Sequence, residues 1–124
     1  MAFVSTGAHD VGQTEEVIFT PPAQTKTGET LDTATVIGLS ASNIHDSPII
    51  VTMKLFKSND TQEYHIIKVV EIMPGATEII VGGEQKMIVE QGDEIRAFGF
   101  ESGDDTIDEP FFDVIVSYLE SAEA

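Results

Sequence analysis

The chain has 124 residues, 41% of them hydrophobic, which suits one domain with a buried core and is too apolar for overall disorder. Six Lys and Arg against 22 Asp and Glu leave a net charge of −16, which repels phosphate backbones and anionic lipid, so nucleic-acid and membrane-surface binding are not expected. Cysteine is absent, which excludes disulfides, thiolate metal sites and a Cys nucleophile.

Residues 1–32 are rich in Thr, Gly, Gln and Glu, and their N-terminus lacks the basic and apolar segments of a secretory signal. They contain one short apolar run, Val17-Ile18-Phe19, ended by Pro21-Pro22, which permits an edge strand but no central one. The stretch is expected to be an extended arm with a possible edge strand, followed by a β-sandwich domain over 33–124. Its acids are Asp10, Glu15, Glu16, Glu29 and Asp32, against the single base Lys26.

Thr33 to Ser42 alternates, with Thr35, Ile37, Leu39 and Ala41 expected toward the core and Val36 half-buried. After the turn formers Asn43 to Pro48, Ile49 to Lys57 is a strand that points Val51, Met53 and Leu55 one way. Ser58-Asn59-Asp60 closes a hairpin onto Glu63 to Ile72, where both faces carry apolar residues and period 2 does not choose between them. Pro74-Gly75 marks the next turn. Two short β-rich segments then flank Gly82-Gly83, a pair able to take positive φ and reverse the chain. Gln91-Gly92-Asp93 punctuates again before the strand Glu94 to Phe100, and the last strand is Phe111 to Glu120.

Short strands at this spacing, with no amphipathic helical stretch and no apolar run near the roughly 18 residues of a membrane span, predict an all-β fold. The expected form is an antiparallel β-sandwich or jelly-roll-like domain of about seven or eight strands. Its expected core includes Ile37, Leu39, Val51, Met53, Leu55, Ile79, Val89, Ile95, Val114 and Val116.

No catalytic constellation emerges. The acidic loop offers Asp104, Asp105, Asp108 and Glu109 as hard oxygen ligands for Ca²⁺, but without the spacing of an EF-hand they are weak metal candidates. His9, His45 and His65 form no His-x-His pair, and there is no Gly-x-Ser-x-Gly elbow. A carbohydrate- or metal-binding jelly-roll module is the alternative reading. With no Trp and only Tyr64 and Tyr118 besides Phe, platforms for sugar rings are scarce. The expectation is therefore a non-enzymatic protein without cofactor or metal.

Several phrases in order carry a resemblance: Thr35-Val36-Ile37-Gly38-Leu39-Ser40-Ala41-Ser42-Asn43, Tyr64-x-x-Ile67-Lys68, Met73-Pro74-Gly75, Val81-Gly82-Gly83-x-Gln85-Lys86, Val89-x-x-Gly92-Asp93 and Asp113 to Glu120. Over about residues 33–120 the chain resembles small β-rich virion structural proteins of tailed bacteriophages. The resemblance implies a non-enzymatic particle component made in the host cytoplasm, either a capsid decoration (cement) protein or a neck or tail accessory protein. Its implied partners are other virion proteins, major capsid or tail, together with copies of itself. Because the acidic domain repels its own copies, contact is expected at the less charged N-terminal segment, through Phe3, Val4, Val17, Ile18 and Phe19.

Overall fold

The structure is a computed structural model and describes residues 3–107 and 109–122. Nine strands are present in them: β1 (Phe3–Val11), β2 (Glu16–Phe19), β3 (Leu31–Asn43), β4 (Ile49–Lys57), β5 (Gln62–Ile72), β6 (Thr77–Val81), β7 (Met87–Glu90), β8 (Glu94–Glu101) and β9 (Phe112–Ala122). The first sheet has the order β1-β9-β3-β6, with β7 also on β3, and the second has the order β2-β8-β4-β5. Along the chain the antiparallel pairs nest: β1 with β9, β2 with β8, β3 with β6 and β7, and β4 with β5. One long two-stranded ribbon, closed between β4 and β5, is rolled so that its segments fall in two facing sheets. That is a jelly roll, one of the two antiparallel forms the alternating pattern allowed, with nine strands where seven or eight were expected.

The two inner faces form one core. Leu39, Val51, Met53, Val89, Ile95, Val114 and Val116 are buried as expected, and Leu55 is partly buried against them. Ile37 and Ile79 are not core residues, and β-bulges explain both. A register shift between Val36 and Gly38 adds one residue to β3, so Ala34 and Val36 face inward before it and Leu39 and Ala41 after it. Extrapolating period 2 across that bulge puts Thr35 and Ile37 on the wrong face and Val36, which is fully buried, only halfway in. A second shift sets Val81 opposite Leu39 but Ile79 opposite Ser40, leaving Ile79 71% exposed. In β5 two further shifts, on either side of Met53, mix the faces: Ile66, Ile67 and Val70 pack on the core while Val69 is exposed.

Two turns behave as the sequence indicates. Met73-Pro74-Gly75-Ala76 is closed by Ala76 N–H donating to Met73 O at 3.0 Å, with Gly75 at φ 76°, a type II turn that passes the chain from one sheet to the other. Glu90 to Asp93 turns likewise, with Asp93 N–H donating to Glu90 O at 3.0 Å. Gly82-Gly83 does not reverse the chain. β6 and β7 both run antiparallel to β3 and so lie end to end, with residues 82–86 looped out between them. This keeps Val81 and Val89 on the same inner face, where both are buried.

The expected separate arm is also corrected. β1 pairs with β9 from Phe3↔Leu119 to Val11↔Phe112, and the expected edge strand at Val17–Phe19 is present as β2, paired with β8. Val11, Ile18, Phe19 and Leu31 are buried in the core of the sandwich. Gly7 and Ala8 conceal the strand character of β1; they lie opposite Ile115 and Val114, and a Cβ at Gly7 would come within 2.6 Å of Val114 O. Deleting residues 1–20 should therefore abolish cooperative folding. The deletion strips Val11, Ile18 and Phe19 from the core, worth about 5 to 9 kcal/mol at about 1.5 to 3 kcal/mol each, and bares the edges of β9 and β8. A truncated chain with a native circular dichroism spectrum and a sharp thermal transition would contradict this.

Candidate interaction surface

The residues expected to mediate contact fall into two groups. Phe3 (73% exposed) and Val17 (44% exposed) are accessible. Val4 packs partly on the core, and Ile18 and Phe19 are buried, Phe19 with its ring centroid 4.9 Å from that of Tyr118. Ile18 and Phe19 are thus held by the fold and unavailable to a neighbour.

The acidic loop is organised by its own hydrogen bonds. Asp104 Oδ1 accepts from Thr106 Oγ1 at 2.5 Å and from Thr106 N–H at 3.0 Å, and these bonds hold its carboxyl below the usual range. Asp108 lies outside the described residues, and Glu109 turns toward His45 with Oε2 3.5 Å from Nδ1. Among the described residues no three His, Asp or Glu side chains are placed to hold a metal ion. Treatment with EDTA should leave the melting temperature unchanged; a marked drop would make this loop a cation site.

His45 is not the surface residue its turn context suggests. Its side chain is 11% exposed, with Nε2 2.9 Å from Glu101 Oε1 and its ring edge-on to Phe111 at 5.0 Å. Asn43 sets it there by accepting the His45 N–H at 2.7 Å and donating to Ser47 O and Ile72 O. Asn-x-His in a turn was the available signal, since Asn side chains cap the backbone two residues on. The group ties the loop after β3 to the loop after β8.

A second polar centre lies at the other end. Asp93, 1% exposed, accepts from Lys57 Nζ at 2.6 Å, Ser58 N–H at 2.9 Å and Glu90 N–H at 2.9 Å. Burial alone would raise its pKa; the Lys57 ammonium and the two backbone donors outweigh that and hold the carboxyl below the usual range. Every fully buried side-chain N or O among the described residues has a hydrogen-bond partner. These buried polar groups have their contacts within the fold.

What is left open is a face. On the outside of the first sheet, paired residues form three cross-strand rows: Phe3, Leu119, Thr35 and Ile88; then Ser5, Ser117 and Gly38; then Gly7, Ile115, Ser40 and Ile79. None of these residues is charged. Phe3, Ile79, Ile88 and Ile115 are 73%, 71%, 59% and 55% exposed, and Ile37 and Leu119 are half-buried without packing on the core. Charge returns at the borders, with Asp113 beyond one row, Glu90 beyond another, and Glu84 and Lys86 in the loop between β6 and β7. The outside of the second sheet is the opposite: Arg96 sits 4.5 Å over Phe56 and bonds Glu94 and Glu63, and Lys54 sits 5.4 Å over Phe98 and pairs with Glu15. No family model, curated protein or solved structure matches the chain.

Proposed function

We propose that the protein is a non-enzymatic structural component of a bacteriophage virion, a capsid decoration (cement) protein or a neck or tail accessory protein. The observation that carries this reading is the uncharged outer face of the first sheet in a chain of net charge −16. A monomer gains nothing from concentrating its acids elsewhere and exposing Ile79, Ile88, Ile115 and Phe3 together, whereas an assembly component needs a flat, rigid face that another protein covers. A jelly roll in which every fully buried side-chain N or O among the described residues has a partner supports the same reading, as does the sequence resemblance over residues 33–120. In this reading the acidic surfaces face solvent and the uncharged face is turned toward other protein in the particle.

Quantitative mass spectrometry of purified particles tests the proposal. Hundreds of copies per portal would place the protein on the capsid, and tens or fewer on the neck or tail. Its absence from particles would overturn the reading.

A further inference from the structure

We infer that the uncharged outer face of the first sheet pairs with the same face of a second copy of this chain, and that the pairing strengthens as salt rises. The inference deepens the assembly reading by naming the partner of that face. A basic partner would be drawn to the acidic surfaces of this chain of 22 Asp and Glu, and would find no counter-charge in the three rows of this face. An uncharged face is best matched by another one, and a second copy supplies it with the same pattern. The middle row of small residues (Ser5, Ser117, Gly38) lies between two rows that carry the large ones, Phe3, Leu119 and Ile88 in one and Ile115 and Ile79 in the other, so the protrusions of one sheet can enter the recess of the other in face-to-face packing. A face meeting its own copy is closed by a two-fold axis, which stops the assembly at two.

The size of the face sets the strength. Four strand positions about 4.8 Å apart and three rows about 7 Å apart bury on the order of 400 Å² per copy. That is about half of the roughly 800 Å² per partner in a standard stable complex. Such a contact is weak, and here it must form between two molecules that each carry −16. At 0.1 M salt the screening length is about 10 Å and acids around the rim still repel across the interface; at 1 M it is about 3 Å and the repulsion is largely removed.

The test is the mass of the purified full chain by analytical ultracentrifugation, from micromolar to millimolar concentration, in 0.1 M and 1 M NaCl. The expected result is a monomer of 13.4 kDa in low salt and a dimer in high salt, with Kd falling at least tenfold between them. Ile115→Lys puts a cation in the row of Gly7, Ile115, Ser40 and Ile79 and makes the chain less acidic. It should abolish pairing while leaving the melting temperature within a few degrees, because Ile115 is outside the core. Were association only a matter of net charge, the added cation would strengthen it. Val69→Lys, on the exposed edge strand β5, adds the same charge away from the face and should leave pairing intact. A chain that stays monomeric at 1 M salt and millimolar concentration, pairing that weakens with salt, or Ile115→Lys that still pairs would each overturn the inference. These outcomes are separate from the particle measurement: a monomeric chain found on virions overturns only the pairing, and a pairing chain absent from them overturns only the virion reading.

Discussion

Val114→Asp is expected to remove a large part of the stability of the fold, on the order of 5 kcal/mol. Val114 is 1% exposed on the inner face of β9, the strand between β1 and β3, with Ala8 on one side and Ala41 on the other. Neither neighbour offers a donor side chain, and the backbone groups of β9 are committed to two flanking strands. A carboxylate there would be uncompensated, and even its neutral form would lose its hydrogen bonds to water. The loss of the Val contacts and the desolvation penalty together cost on the order of 5 kcal/mol or more. Domains of this size have about 5 to 15 kcal/mol in total. Urea denaturation followed by circular dichroism would show the midpoint lowered by the equivalent of several kcal/mol, or no native baseline if the parent is at the low end of that range. A variant that unfolds cooperatively within about 1 kcal/mol of the parent would mean that Val114 does not face the core.

Asp93→Asn should lower the melting temperature by about 10 °C at pH 7, equivalent to about 2 to 3 kcal/mol. The amide keeps the shape but cannot serve the Lys57 ammonium and two backbone donors at once, and a buried donor left without an acceptor is costly. The loss sits at the lower end for a buried ion pair because Lys57 also reaches Glu90 at 3.0 Å and is partly exposed. The pH dependence has a definite sign. A carboxyl held below its unfolded pKa contributes stability that is fully present above about pH 4 and lost as pH falls through the depressed folded value. The gap between parent and variant should therefore be constant near neutrality and close in acid. Comparing the two chains isolates this effect, since protonation of the many exposed acids relieves repulsion equally in both. Lys57, held above its ordinary pKa by Asp93, loses its contribution only above about pH 10. A gap that widened in acid would show that Asp93 is not the ionised partner.

The alternation of Val51 and Met53, of Val114 and Val116, and the turns at Pro74-Gly75 and Gln91-Gly92 determined the all-β class and most of the core without reference to tertiary structure. Period 2 is enforced by the pleat, and φ > 0 at Gly75 is local, so both can be read from neighbouring residues. Bulges are different, because an extra residue at Ile37-Gly38 is defined only against β9 and changes which side chains face inward from there on. The same holds at the N-terminus: nothing local to Phe3 to Val11 marks a strand, and only pairing with β9, more than a hundred residues away, makes it one. Gly82-Gly83 permits a reversal, yet the length of β3 gives both flanking segments a place in line. The candidate face was legible only in part, as a preference for less charged stretches that included Phe3. Ile37, Ile79, Ile88, Ile115 and Leu119 come from four separate strands, and only the register of the sheet brings them side by side. A surface built from cross-strand neighbours has no sequence spacing of its own, because sheet order and bulges, set by the packing of the whole core, decide which residues meet.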